Sequence, residues 1–327
     1  MHRRDVLKAA LAIGVGLDLV SLAHAQSYPT RPITMVIPYA AGGHQDTVGR
    51  ILAEAMRTSL GQPVIVENVA GASGTIGVGR VARAVPDGHM FVLGNLATNV
   101  LNGPMFTLPY DLQKDFQPVA LISNEPFVIV ARKTISANDL AEFVIWLKSN
   151  PDATQGTSGA GGFMTVGGLL FQREAGTRFR SVPYRGGQGP AMQDLLAGQI
   201  DFMIATPSIC LPYIRTGMIK AYAVTSKIRL AAASDIPTVG EAGLPGLHAL
   251  NWQATFMPKA TPGDIVARLN AAIVTALADP AVRQRLADLG QEIFPRDQQT
   301  PDALAAFQSA EIERWWPIVR AAKMHVD

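Results

Sequence analysis

Cysteine is almost missing from this chain of 327 residues, since Cys210 stands alone. With one thiol, neither an intramolecular disulfide nor a cysteine-based zinc site can form. Charge is scarce too, at 17 % of residues and a formal net of +2. Part of that excess lies in the first 25 residues, where Arg3, Arg4 and Lys8 outnumber Asp5 and Asp18. A body this near neutral has no electrostatic footprint for nucleic acid or an anionic membrane. Past residue 25 the histidines are His44, His89, His248 and His325, and none pairs with another at metal-ligand spacing. There is no GxxxxGK[ST] phosphate loop, no tandem repeat and no low-complexity linker. Nor does any apolar run beyond Gln26 approach the roughly 20 residues that span a bilayer. Hydrophobic residues, by contrast, make up 48 %, enough to bury a core and to exclude disorder. At about 100–200 residues per domain, the length predicts two to three domains.

The N-terminus reads as an export signal. Met1 to Lys8 is basic, Ala9 to Ala23 is mostly apolar, and Ala23-His24-Ala25 has the small-x-small form of a cleavage site. The apolar part is too short for a lasting anchor, and Asp18 interrupts it. Arg3-Arg4-Asp5-Val6-Leu7-Lys8 also fits a twin-arginine signal, so two export routes stay open. Both predict a periplasmic protein cleaved after about Ala25.

The body alternates strand and helix patterns. Ile33–Ala40 is an apolar run between prolines and glycines, and Val48, Ile51, Leu52, Ala55 and Met56 then recur at helical spacing up to Gly61. Further strands are expected at Pro63–Val69, Met90–Asn95, Val119–Ser123 and Phe127–Ala131, the last two flanking a turn at Asn124-Glu125-Pro126. Ser136-x-x-Asp139 reads as a capping box for the helix before Pro151. Strands near Thr154–Ser158, Ser181–Tyr184, Asp201–Thr206 and Lys220–Thr225 then alternate with helices, and the tail is helical with a break at Pro280. This order predicts parallel, helix-covered α/β sheets, whose ligands sit beyond the carboxyl ends of the strands. Chain crossings near 120–127 and 225–236 would divide two lobes.

Three glycine loops stand between a strand and a helix: Ala40 to Asp46, Asn68 to Gly77, and Gly156 to Phe163. Such loops let a ligand approach the backbone closely, and the following helix start offers unpaired N–H groups to an anion. Single loops of this kind are often tight turns only; three in one topological position point to an anion site. Asp46 reads as a helix-capping or ligand-orienting residue, Cys210 as a buried small side chain, and Trp315-Trp316 as packing. Arg185 follows a strand of the second half, where a lone arginine is either solvated or a source of positive potential at the cleft.

Enzymatic patterns are incomplete. Gly77-Val-Gly79-Arg-Val-Ala82 has dinucleotide-loop spacing but starts too far from its strand and lacks the acidic residue about 20 positions on. Gly156-Thr157-Ser158-Gly159-Ala160 approximates a serine nucleophile elbow without its last glycine, leaving a Ser158–Asp201–His248 hydrolase as the catalytic alternative.

Taken in order, several segments resemble the substrate-binding receptors of tripartite tricarboxylate transporters, the Bug or TctC-like family. They are Tyr28-Pro-x-Arg31-Pro-Ile33, Val36-Ile-Pro38-Tyr39 with Gly42-Gly43-x-x-Asp46, and Glu67-Asn68-x-x-Gly71-Ala-x-Gly74-x-Ile-Gly77. Val182-Pro183-Tyr184-Arg185-Gly186, Asp194 to Asp201 and Ile236 to Gly246 follow. The resemblance implies a two-lobed type II periplasmic binding fold with a hinged cleft, with residues 26–122 plus 230–327 as one lobe and 123–229 as the other. It implies capture of a small carboxylate without a cofactor, metal or covalent chemistry, by a monomer that delivers to membrane permease subunits or signals to a membrane partner. Carried over by position, Tyr39, Ala41, Gly43, Asp46, Ser73, Gly74 and Thr75 would form the first lobe's carboxylate site. Ser158, Gly161, Gly162 and Thr206 would face them. This chain has Ala40-Ala41 where the family often has a second proline before the glycine pair, and Phe163-Met164-Thr165 where it often has a polar Ser-x-His segment. Phe163 is therefore expected to line a less polar part of the site.

Overall fold

A computed structural model describes residues 28–157, 162–184 and 187–323. The export signal therefore lies outside the described residues, as do Ser158, Gly161 and Arg185.

The first stretch runs β1 (Ile33–Ile37), α1 (His44–Leu60), β2 (Val64–Asn68), α2 (Thr75–Ala82), β3 (Met90–Asn95), a helical turn over Ala97–Leu101 with α3 (Asn102–Met105), and β4 (Phe116–Pro126). The middle runs β5 (Val128–Arg132), α4 (Leu140–Ser149), β6 (Thr154–Thr157), α5 (Phe163–Ala175), β7 (Arg180–Pro183), α6 (Gln188–Leu196), β8 (Phe202–Ala205), α7 (Pro207–Arg215) and β9 (Ile219–Val224). The chain then returns through β10 (Leu250–Pro258), α8 (Gly263–Ala278), α9 (Pro280–Asp288), β11 (Glu292–Ile293) and α10 (Pro301–Ala321). Among the described residues, no single helix is long and apolar enough to cross a membrane.

Two sheets result: six strands in the order β11-β4-β10-β3-β1-β2, and five in the order β7-β6-β8-β5-β9. The expected parallel pairs are present at β2–β1–β3 and β7–β6–β8. Each sheet also takes in a strand that runs antiparallel to both its neighbours. β10 lies between β3 and β4, and β5 lies between β8 and β9. The Asn124–Pro126 turn is not formed. Those residues continue β4, because Asn251 and its neighbours in β10 pair with them, a partnership more than a hundred residues away in sequence.

The helices follow their apolar spacing. Val48, Ile51, Leu52, Met56 and Leu60 of α1 are buried against the first sheet. Gly49 lets that helix close on β1, since a Cβ there would stand 2.6 Å from Ile37 Cδ1. Gly61 ends the helix in the left-handed region at φ 71°, its N–H donating to the Arg57 carbonyl at 2.9 Å. The cap of α4 sits three residues later than the sequence suggested. Asp139 accepts from the Glu142 N–H at 2.8 Å, and Glu142 accepts from the Asn138 N–H at 2.7 Å. An Asp-x-x-Glu pair thus does what Ser136 was expected to start. Asp279 caps α9 ahead of Pro280, which places the tail's break where the proline predicted it.

Only Phe127 separates β4 from β5, and Val128 pairs with Ala205 at the carboxyl end of β8. The carboxyl edge of the first sheet is therefore joined directly to the carboxyl edge of the second. The other crossing, through residues 225–249, lies against this one. Thr225 Oγ1 accepts from the Phe127 N–H at 2.8 Å and donates to the Ala249 carbonyl at 2.6 Å.

Candidate functional site

At the carboxyl edge of the first sheet, the loop after β1 turns through Gly42, at φ 80°, into α1. Gly43 is the N-cap and has no side chain with which to cap. The first helical bond is Thr47 N–H to the Gly43 carbonyl at 3.1 Å, which leaves the N–H groups before it without helical partners. Asp46 is 3 % exposed. Its carboxylate accepts from Gly42 N at 2.8 Å, Arg50 Nε at 3.0 Å and Asn68 Nδ2 at 3.0 Å. The hydrogen bond from Arg50 does most to hold it below the usual carboxylate range, and those from Gly42 and Asn68 help against burial. Asp46 thus shapes the loop with both oxygens engaged, rather than offering a charge to a ligand.

The second loop is built by close approach. Gly71, Ala72, Ser73 and Gly74 all have positive φ, at 132°, 43°, 53° and 89°. A Cβ on Gly74 would meet Thr98 Cγ2 at 2.7 Å and the Pro38 carbonyl at 3.1 Å. A Cβ on Gly77 would meet the Val69 carbonyl at 2.8 Å. These glycines let the start of α2 rest on the loop after β1. Asn102 Nδ2 donates to the Ser73 carbonyl at 3.0 Å, fixing a strained residue whose left-handed backbone costs on the order of 1 kcal/mol. Thr75 is the first residue of α2.

Below both loops lies a polar floor of which the sequence reading named only Tyr39. Tyr39 Oη and the Asn95 amide share hydrogen bonds at 3.2 and 3.3 Å. Asn95 Nδ2 also donates to Gln45 Oε1 at 2.9 Å, and Asn95 Oδ1 accepts from the Thr98 N–H at 3.0 Å. Burial pushes the Tyr39 hydroxyl up to about 12. The available signal was a polar residue, Asn95, ending an apolar strand at the ligand edge. Ala41, Gly43 and Ser73 are exposed above this floor.

From the second sheet, Gly162 is the N-cap of α5 and Thr206 that of α7, with Pro207 next. Thr206 N–H donates to Gln188 Oε1 at 2.8 Å, and its hydroxyl lies 3.2 Å from Ser208 Oγ. The Phe163 ring packs at the junction of the two sheets. It stacks on Phe127 with centroids 3.9 Å apart and meets the Trp315 ring edge-on at 5.8 Å. At 7 % exposure it fills the junction between the sheets.

The hydrolase arrangement does not assemble around Asp201. Its carboxylate accepts from Thr154 N at 2.7 Å and Arg132 Nε at 2.9 Å, at the amino ends of β6 and β8. Asp201 thus braces the amino end of β6, the end opposite to Thr157, while Ser158 lies outside the described residues. Among the described residues, no group of histidine, cysteine, aspartate or glutamate could hold a metal ion. Cys210 is buried, and burial pushes its thiol up to about 12.

The rim of the first loop holds a second missed group. His44, the first residue of α1, has Nε2 3.0 Å from Gln291 Nε2 and 3.6 Å from Glu125 Oε1. Glu125 Oε1 accepts from Asn251 Nδ2 at 2.9 Å, while its Oε2 is buried without a partner. Burial raises this carboxyl to about 7, opposed by the hydrogen bonds of Asn251 and Gln291.

Residues 48–324 match the family model described as "Tripartite tricarboxylate transporter family receptor". The chain belongs to that family. It is 40 % identical to MatC from Rhodopseudomonas palustris, solved with bound malate, with TM-score 0.79 over 89 % of this chain and 100 % of that one. The periplasmic binding protein BugD is 35 % identical, with TM-score 0.79 over 91 % of this chain and 100 % of its own. A second R. palustris protein, solved with adipate, is 29 % identical, with TM-score 0.79 over 90 % and 98 %. The two sheets with their helices are thus the two lobes of a periplasmic binding fold, and the receptors of this family are periplasmic solute-binding proteins.

Proposed function

We propose that this chain is an exported receptor that captures a small carboxylate between its lobes and hands it to the membrane subunits of a tripartite transporter. The observation that carries this reading is the uncapped start of α1, with the glycine loop before α2 resting beside it at one sheet edge. Glycines bring them together, and Asp46 and Asn102 brace them. Free N–H groups at a helix start bind an anion through direction and dipole, without a cationic side chain. Tyr39, Ala41, Gly43, Ser73, Gly74 and Thr75 form the first wall in this reading, with Asp46 behind it. Ser158, Gly161, Gly162 and Thr206 close from the second lobe. The malate and adipate held by the two R. palustris relatives support a dicarboxylate as ligand. The moving bodies are the two sheets with their helices, hinged at Phe127 and across 225–249. A ligand that touches both favours the closed form by its differential affinity. No covalent step is part of this function, and a monomer suffices for it.

Native mass spectrometry of the mature protein, before and after unfolding and refolding, tests the reading. A small acid that is lost on unfolding supports it and identifies the ligand class. If the protein is bare and a thermal-shift panel of mono- and dicarboxylates is flat, the carboxylate reading is wrong. A ligand at 100 times its Kd should add about 2.7 kcal/mol.

A further inference from the structure

His44 is the one histidine among the described glycine loops, and it stands at the start of the helix whose N–H groups face the proposed anion site. Its side chain is 27 % exposed and backed by Glu125, whose side chain is 1 % exposed. Gln291 has its carbonyl engaged by Ser123 Oγ at 2.6 Å, so its amide N–H points at His44 Nε2, which accepts as a neutral imidazole. Protonation turns Nε2 into a donor, and the nearest carboxylate oxygen is then Glu125 Oε1 at 3.6 Å. The unpartnered Oε2 gives Glu125 a free place for a proton of its own. Glu125 can therefore take a proton in place, whereas a proton on His44 Nε2 displaces the Gln291 N–H from it and turns the ring nitrogen toward Glu125.

We propose that His44 is a titrating ligand contact of this receptor and Glu125 its positioning partner, so that an acid anion seated at the start of α1 draws a proton from solvent onto the pair. The inference rests on the receptor reading above. An anion beside the pair favours protonated imidazole and disfavours ionised carboxylate, so both groups bind protons more tightly in the complex. By linkage, affinity rises as pH falls through the range where the pair titrates. Burial lifts the Glu125 carboxyl to about 7 and lowers the His44 imidazole.

The groups around the pair do not mask it. Asn251 from β10 and Gln291 before β11 are neutral amides. On α1, Asp46 and Arg50 neutralise each other at 3.0 Å, and Glu54 pairs with Arg285 of α9 at 2.7 Å. Arg283 of α9 donates to the Leu277 carbonyl at 3.4 Å. Glu292 of β11 is half-buried, and burial raises its carboxyl; its backbone pairs with Asn124.

The test is calorimetry of the mature protein with malate and with adipate at pH 7, in two buffers of different ionisation enthalpy. Wild type is expected to take up a substantial fraction of one proton per ligand and to bind about three- to tenfold more tightly per pH unit between 8 and 6. Glu125→Gln and His44→Gln should each abolish the uptake and flatten the pH dependence. His44→Gln, at a partly exposed position, keeps the test open if Glu125→Gln does not fold. Binding without proton exchange, or uptake that persists in both variants, overturns the proposal while leaving the receptor reading intact. No heat from these or a wider panel of carboxylates overturns the receptor reading and the proposal together.

Discussion

Thr225 Oγ1 accepts the Phe127 N–H at 2.8 Å, so a single hydroxyl joins the two segments by which the chain passes between its lobes. The same hydroxyl donates to the Ala249 carbonyl at 2.6 Å, and Ala249 N–H returns to the Thr225 carbonyl at 3.0 Å. A one-residue connection and the long connection over 225–249 are thereby tied together at one point.

Thr225→Val tests that knot. The methyl replaces the hydroxyl at nearly equal volume and leaves the Phe127 N–H and Ala249 carbonyl short of a partner in a buried place. A buried unsatisfied group costs about 1–3 kcal/mol. Urea unfolding should show that loss, and Thr225→Ser should recover most of it. Equal stability in Thr225→Val and wild type would sink the hinge role.

Asp46→Ala removes the acceptor for Gly42, Arg50 and Asn68 together. The expected stability loss is about 2 kcal/mol, because two amide donors lose a charged acceptor. On the receptor reading, affinity for its carboxylate ligand should fall at least about tenfold, since the loop that aims the α1 N–H groups is no longer pinned. Hydrogen exchange at Gly42 and Gly43 should accelerate in step. If exchange there is unchanged, the loop does not depend on Asp46.

The two glycine loops of the first lobe are legible in the sequence because their determinants are local. Gly42-Gly43 and Gly71 to Gly77 encode their own turns, and α1 carries its own apolar stripe and stop. What stayed hidden depended on distant partners. Glu125 reads as part of a turn in Asn124-Glu125-Pro126, yet β10, entering from residue 250 onward, converts it to buried strand. His44 reads as a histidine with no partner at metal-ligand spacing until Glu125 and Gln291 are brought to it. Phe163 was placed by its position after a glycine loop, whereas its ring direction is set by Phe127 and Trp315, which no local pattern names.

His248 predicts an acid-side weakness. Burial above all, then the positive charges of Arg314 and Lys227, lowers its imidazole to about 4. A histidine whose folded value is depressed takes up its proton more readily unfolded. Its contribution to stability is present above about 6.5, its unfolded value, and is lost as pH falls through that value toward about 4. The loss is at most about 3 kcal/mol. Urea midpoints measured from pH 7 to 4 should fall less steeply in His248→Gln than in wild type. Parallel curves would show that His248 titrates normally in the fold.

Phe163→Ala separates a junction residue from a ligand wall. Emptying the space between Phe127 and Trp315 leaves a cavity on both sides of the ring, and a buried phenylalanine lost in this way costs about 3–5 kcal/mol. If the ring serves only the junction, affinity for malate and adipate should fall together, because both pay for a looser closed state. Their ratio should stay within about threefold of wild type, since nothing that touches the chain between the carboxylates has changed. A ring that lines the site gives the opposite pattern: the longer diacid would gain room, and the ratio would shift tenfold or more toward adipate. Thermal unfolding distinguishes the two independently, because the junction role requires a large stability loss in the ligand-free protein, where a ligand wall has nothing to hold.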